Sequence, residues 1–329
     1  MEPAAIGSIR ASRRVCVAGN LCIDLVIRNV PALPGWGQEV AGRGQSLVPA
    51  GQAANLARAL ARLGTPVTVI GAVGEDDFGR MIRDDLTAHG VDVSGVVSLP
   101  GATPVTVGVV RPDGERAFIS EFGCAAAVDG ALLNRIWEAT GGSDVLCLVG
   151  QFNLPGLPPG AAQAFLARAR AGGAVTIVDT GWDPAGWPPE MTAAIREELA
   201  AADIALPNRD EAAAMTGEDG GVEAAAALLA DGPSLVVVKL GEKGSLARYG
   251  DQAAFADPYP VEAADAVGAG DVFDGAMLHA LRSGLPVGEA LTFGNAAASL
   301  YVERARDRFP TSAEILARIA SRPGSGRGQ

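Results

Sequence analysis

Short runs of β-branched and aliphatic residues alternate along the chain with Ala- and Leu-rich segments of helical period. RVCVAGN, VTVIGAVG, VLCLVG, AVTIVDT, ADIALPN and LVVVKLG are apolar at nearly every position, as strands buried on both faces are. Between them QAANLARALARLG, FGRMIRDDLTAHG, AAQAFLARARAGG and GVEAAAALLADG repeat apolar residues every three or four positions, several closing on a Gly that serves as C-cap. This alternation predicts an α/β fold: a mostly parallel central sheet with helices on both faces, a three-layer α/β/α arrangement. Such sheets bind ligands beyond the carboxyl ends of their strands.

Two segments break the rhythm. Residues 25–49 and 104–121 read as strands without intervening helices, and the second turns at Pro112-Asp113-Gly114. They predict a small antiparallel β lid projecting from the core, or an edge ribbon used in dimer contacts. We expect one domain over 13–320 with the lid inserted in it, and the polar ends 1–12 and 321–329 as mobile tails. The stretch NLPGLPPG reads as a loop between strand and helix.

Composition narrows the partners. The chain has 329 residues, 48% of them hydrophobic and 19% charged, enough to bury a large core. The 38 acidic against 26 basic residues leave a net charge of -12, which opposes binding to nucleic acid or anionic membrane and points to small-molecule ligands. Cys16, Cys22, Cys124 and Cys147 form no CxxC pair and no Cys/His cluster. That suits reduced thiols in the cytoplasm and no structural zinc. The N-terminus lacks a signal-peptide core and no apolar run spans a bilayer.

The chemistry concentrates in DAVGAGD, residues 265–271, just ahead of the apolar run VFDGAMLHAL. Gly268-Ala269-Gly270 before a helix offers backbone N–H groups to an anion at the positive end of the helix dipole. Asp271, in the first turn, would repel a resting phosphate. By itself it reads as a helix cap; the other reading is a proton acceptor.

The rest of the chain bears on that choice. AGQAANLARALARLGTPVTVIGAVG and DAVGAGDVFDGAML together resemble the two sequence patterns of the ribokinase-like, or PfkB, carbohydrate kinase family. Ala50, Gly51, Ala53, Asn55, Ala57, Gly64 and Gly74 meet the first; Asp265, Gly268, Ala269, Gly270, Asp271, Gly275 and Ala276 meet the second, with Ala266 as its one departure. PNRDEAAAMTG matches the family's Asn-x-x-Glu at Asn208 and Glu211, and KLGEKG its Leu-Gly-x-x-Gly strand end. No GxxxxGK[ST] occurs and no strand leads into GxGxxG.

The resemblance implies a ribokinase-like fold and transfer of the ATP γ-phosphoryl group to an alcohol. Asp271 would then accept the hydroxyl proton, being ionised at neutral pH with an ordinary pKa of about 3.9, while the amides of Gly268, Ala269 and Gly270 hold the migrating phosphoryl oxygens. It places Asn20, Asp24, Gly51 and Asn55 at the sugar, the strand VCVAGNLCID presenting the first two, with Ala50 standing for the first Gly of the usual pair. Toward ATP it places Asn208, Glu211, Lys239, Gly241, Gly244 and Asn295. Asn208 and Glu211 would hold Mg²⁺ through water, their other reading being a capping box. Lys239 meets phosphate or is a solvated strand residue, and Gly241 and Gly244 are otherwise a plain turn. Asp265 matches the position where many relatives hold K⁺, its other reading being a brace that accepts backbone hydrogen bonds of the loop, and Arg306-Asp307 in place of their Gly-Ala weakens the case for K⁺ activation.

Substrate identity falls to the lid. Arg43, Arg111 and Arg116 would pair with an anionic sugar or stay solvated. A neutral monosaccharide such as ribose or fructose is the preferred acceptor, then a nucleoside of the adenosine or pseudouridine type, then a sugar phosphate. A non-catalytic sensor on the same scaffold would be expected to have lost the acid or the anion loop, and both are intact. Trp36, Phe118 and Phe122 are placed on the lid side of the pocket or in the packing of its sheet, and the lid is expected to form a homodimer.

Overall fold

The alternation resolves into two sheets and eleven helices in a computed structural model that describes residues 2–158, 160–261, 266–304 and 308–322. The strands are β1 (Val15–Gly19), β2 (Cys22–Ile27), β3 (Gln45–Ala50), β4 (Val67–Gly74), β5 (Asp92–Leu99), β6 (Val105–Val110), β7 (Arg116–Glu121), β8 (Val145–Val149), β9 (Val175–Asp179), β10 (Ile204–Ala205), β11 (Leu235–Lys239), β12 (Ser245–Tyr249) and β13 (Gln252–Ala256). The helices are α1 (Ala4–Ala11), α2 (Gln52–Arg62), α3 (Asp77–Ala88), α4 (Gly130–Ala139), α5 (Ala161–Ala171), α6 (Pro189–Leu199), α7 (Arg209–Thr216), α8 (Gly221–Ala230), α9 (Ala269–Arg282), α10 (Val287–Glu303) and α11 (Ser312–Ala320).

The large sheet runs β13-β12-β11-β10-β9-β8-β1-β4-β5, parallel except at the β11-β12-β13 edge. Its inner strands β1, β4, β8 and β9 are buried along their whole length because both faces are covered. In β1, Val15 and Val17 join the layer built with α1, α2, α3, α9, α10 and α11, and Cys16 and Ala18 the layer of α4 to α8. The three-layer α/β/α architecture expected from the sequence is thus present.

The small sheet, β3-β2-β6-β7, carries the lid. It consists of two antiparallel ribbons joined by a parallel β2–β6 pairing. Asp24 is opposite Val48 on one side and Thr106 on the other, so these side chains share a face.

Two expectations need correction. VCVAGNLCID is not one strand: the chain leaves the large sheet at Asn20-Leu21 and enters the small one at Cys22. The first expected tail also does not hold for residues 4–11, which form α1. Ile6 and Ile9, three apart on one face, are fully buried, each contributing about 1.5–3 kcal/mol of burial. Arg282 fastens the helix end, its Nη2 donating to the Ser12 carbonyl at 2.8 Å. Residues 323–329 of the other expected tail lie outside the described residues.

No helix among the described residues is long and apolar enough to cross a membrane. The four cysteines are free and buried.

Candidate active site

The carboxyl ends of β1, β9 and β11, the lid and the starts of α2, α7 and α9 enclose a cleft of about 570 Å³. Asn20, Asp24, Gly51 and Asn55 line it together with Asn208, Glu211, Lys239, Gly241, Gly268, Gly270 and Asp271. Residues spread over more than two hundred positions thus meet at the place the parallel sheet dictates. Gly241 also lines an adjoining recess of about 600 Å³, walled by Tyr259, Val261, Ala298, Val302 and Asn295. Asn295 Nδ2 donates to the carbonyls of Ala256 (3.0 Å) and Asp257 (3.1 Å), tying down the loop behind that recess.

Gly268 is the N-cap of α9 at φ 82°, and no side chain caps the helix. Asp271, third in the helix, is 7% exposed, and its Oδ2 accepts from Asn55 Nδ2 at 2.8 Å. Burial pushes its carboxyl up to about 7, only partly offset by the Asn55 hydrogen bond, with Asp179 adding to the rise and Lys239 and Arg58 opposing it. The ordinary pKa expected from sequence does not hold here. The Ala269 amide donates to the Ala266 carbonyl at 3.1 Å, so that one member of the expected three-amide cradle is already engaged. Gly270 and Asp271 follow it in the first turn, where amides have no partner inside the helix.

At α7 the capping box is complete. Asn208 Oδ1 accepts from the Glu211 amide at 2.9 Å, Glu211 Oε2 from the Asn208 amide at 2.8 Å, and Glu211 Oε1 from Asn208 Nδ2 at 2.6 Å. Glu211 nevertheless faces the cleft. Burial first, then the Asp179 charge, pushes its carboxyl up to about 7.

Lys239 is no solvated strand residue. Its Nζ lies 2.8 Å from Asp179 Oδ2 and 2.9 Å from Asp274 Oδ2, all three being largely buried. Burial works against the ammonium, but the two carboxylates prevail and hold its pKa above the usual lysine range. Asp274, the sixth residue of α9 and in its second turn, is itself raised by its burial, and its Oδ1 has no hydrogen bond among the described residues.

Asn20 Oδ1 accepts from the Gln52 amide at 3.2 Å, capping α2 from the link between β1 and β2 because Gly51 has no side chain to do so. Gly51 has φ 101°, and a Cβ there would run into the Asn20 carbonyl. Asp24 accepts a weak 3.7 Å bond from the Cys22 thiol. Gly244 packs instead against the backbone of Ala256 and Asp257 and does not line the cleft.

The lid arginines named from sequence are elsewhere: Arg111 pairs with Asp113 (2.6 Å) and Glu115 (2.8 Å), and neither Arg43 nor Arg116 lines the cleft. Trp36 is fully exposed. His279 bonds Thr65 Oγ1 at 2.9 Å, away from the cleft. Asp265, Arg306 and Asp307, on which the K⁺ argument turns, lie outside the described residues.

Sequence reasoning missed Asp179, Gln52, Asn153 and Trp182, all lining the cleft. Asp179 had a usable signal: it is the polar residue ending the apolar strand β9 at the sheet's carboxyl edge.

Residues 12–314 match the pattern described as pfkB family carbohydrate kinase. The chain is 28% identical to a ribokinase of Bacillus subtilis over 92% of its length and 98% of the relative's. It is 33% identical to a 1-phosphofructokinase of Haloferax volcanii, covering 81% and 83% of the two chains. A ribokinase of Arabidopsis thaliana, solved in complex with ribose and ATP, superposes with a TM-score of 0.81 at 25% identity, covering 94% of this chain and 99% of that one.

Proposed function

The chain belongs to the PfkB family of carbohydrate kinases, phosphotransferases with an alcohol acceptor, and from that premise we propose that it transfers the ATP γ-phosphoryl group to a hydroxyl of a neutral monosaccharide. One observation carries the reading: Asp271 and the uncapped start of α9 face the same cleft, with one carboxylate oxygen held by Asn55. Asn55 occupies Oδ2 and leaves Oδ1 to accept the proton of the attacking hydroxyl. The Gly268 and Gly270 amides stabilise charge on the moving phosphoryl group, and Lys239 sets a fixed cation beneath the loop. In a loose transition state positioning and charge do most of the work, and losing the proton acceptor costs roughly 10²–10⁴ in rate.

Asp24, Asp179, Glu211 and Asp271 against Lys239 leave the cleft lining rich in carboxylates, which fits a divalent cation arriving with a nucleotide. No group of three or more metal-ligating side chains occurs among the described residues, and Mg²⁺ bound with phosphates needs only one or two protein contacts. Asn208 and Glu211 would hold it through water, and the ion supplies neutralisation of phosphate charge. The recess at Tyr259, Val302 and Asn295 takes the adenine end, as its mostly apolar walls suit a flat heterocycle.

The same carboxylate surplus, with Asn20, Gln52, Asn55 and Asn153 around it, favours a neutral polyol over a sugar phosphate, whose anion would meet like charge. Trp182, 53% exposed on the cleft wall, is the observation that supports a nucleoside as second reading, since its ring face can stack on a base. The test is ADP release with Mg·ATP over ribose, fructose, adenosine, pseudouridine, ribose 1-phosphate and fructose 1-phosphate, with and without K⁺. Turnover highest on a neutral sugar is expected; turnover on the phosphate esters alone would overturn the acceptor assignment.

A homodimer through the lid accords with exposed Leu47, Phe118 and Ile119 there; a monomer in light scattering would remove it. Free thiols fit the reducing cytoplasm.

A further inference from the structure

On the Oδ1 side of Asn55 a second cavity, about 440 Å³, opens between β3, α2, α3 and the end of α10. Its lining inverts the charge of the cleft. Arg28, Arg58, Arg62, Arg308 and His89 face it, and Asp85 is the one acid among the described residues that line it. In a chain of net charge -12, four guanidinium groups around one concavity amount to a local anion trap.

Arg58 is the fixed member. Its side chain is 9% exposed, sits 5.3 Å over the Phe309 ring and pairs with Asp85 at 3.3 Å. Its Nη2 donates to the Pro49 carbonyl at 2.8 Å and to Asn55 Oδ1 at 2.9 Å. That second bond fixes which way the Asn55 amide points, and its NH₂ therefore donates to Asp271. The wall Pro49–Arg58–Asn55 thus stands between cavity and cleft and hydrogen-bonds across both. The Arg62 side chain makes no hydrogen bond or ion pair among the described residues and is exposed. Among the described residues the Arg28 side chain donates to Ser46 Oγ alone, at 3.0 Å.

We propose that this cavity is an effector site for a small phosphate monoester, gripped by Arg28, Arg62 and Arg58, and that its occupancy slows phosphoryl transfer by drawing Arg58 away from Asn55. A dianionic phosphate offers acceptors matched to the guanidinium fork, and an Arg58 Nη2 hydrogen that it takes is lost to Asn55 Oδ1. The Asn55 amide is then no longer oriented and its hold on Asp271 loosens. Cavities of this size accept small metabolites. The effect on turnover rests on the kinase reading above; the binding itself does not.

The test titrates glycerol 3-phosphate, with glycerol as neutral control, into the full chain by calorimetry, comparing wild type with Arg62→Ala and with Arg28→Ala/Arg62→Ala. The expected result is one glycerol 3-phosphate site, no heat from glycerol, and affinity at least about tenfold weaker in the double variant, a loss of about 1.4 kcal/mol. In the kinetic arm, glycerol 3-phosphate lowers wild-type turnover at saturating sugar and Mg·ATP, while the double variant keeps its basal turnover and is insensitive. Repeating that arm with the phosphorylated product separates feedback by the reaction's own ester from control by an unrelated one. Absence of binding, equal affinity in all three proteins, or inhibition abolished by more sugar or nucleotide would overturn the proposal. Failure of turnover on every acceptor, with binding intact and Arg-dependent, would instead fault the kinase reading.

Discussion

Two helix starts face the same cleft and carry an acid at the same third position, yet they use it oppositely. At α7 the cap is Asn208, and Glu211 folds back onto its own turn so that cap side chain, cap amide and carboxylate satisfy one another. At α9 the cap is Gly268, which has no side chain, and Asp271 turns outward to a donor 216 residues earlier in the chain, Asn55. Both carboxyls are pushed to about 7, in each case first by burial. An N3 acid is therefore a structural clamp where the cap can reciprocate, and a chemically available group where the cap is glycine and a distant amide holds one oxygen.

The sharpest way to break the contrast is Asp271→Asn. The amide keeps an oxygen for Asn55 but cannot accept a proton, so turnover should fall roughly 10²–10⁴-fold while nucleotide affinity by calorimetry changes little. Near wild-type turnover would make α9's acid as structural as α7's. Glu211→Ala should lose turnover with its hold on Mg²⁺ and also stability, since the bond it accepts from the Asn208 amide is worth about 0.5–1.5 kcal/mol in urea unfolding, whereas Asp271→Ala, which removes no cap, should lose turnover without that stability cost.

The smallest effect concerns pH. Only the ionised Asp271 can accept a proton, so turnover should rise with pH through about 7. Asn55→Ala removes the hydrogen bond that favours ionisation, and the acid limb of kcat/KM should then move to higher pH. Stability runs the other way. A carboxyl raised in the folded chain contributes most below its unfolded pKa, near 3.9, and that contribution is lost as pH rises through about 7. Thermal unfolding on both sides of that pH, in wild type and Asp271→Asn, checks the sign.

The two sheets differ in how readable they were. The large sheet's buried strands are continuous apolar runs, and six of them were named from sequence; β5, β12 and β13, with partly or largely exposed positions, were not. In the lid the two segments were legible, but the parallel β2–β6 pairing was not, because pairing partners depend on where the chain turns out of the large sheet at Asn20-Leu21. The site divides similarly. Residues inside dense local patterns, such as Gly51, Asn55, Gly268 and Asp271, were found, and Asp179, alone at a strand end, was passed over.

The amino-acid pattern alone determined the layered α/β architecture, the family and the loop that carries the acid, because periodicity and closely spaced glycines are local and survive in one dimension. Tertiary structure decided the Asp271 proton affinity, the enclosure of Lys239 by Asp179 and Asp274, and the arginine-lined cavity behind Asn55. Burial and charge fields depend on which distant segments are packed together, a property no local stretch of sequence carries.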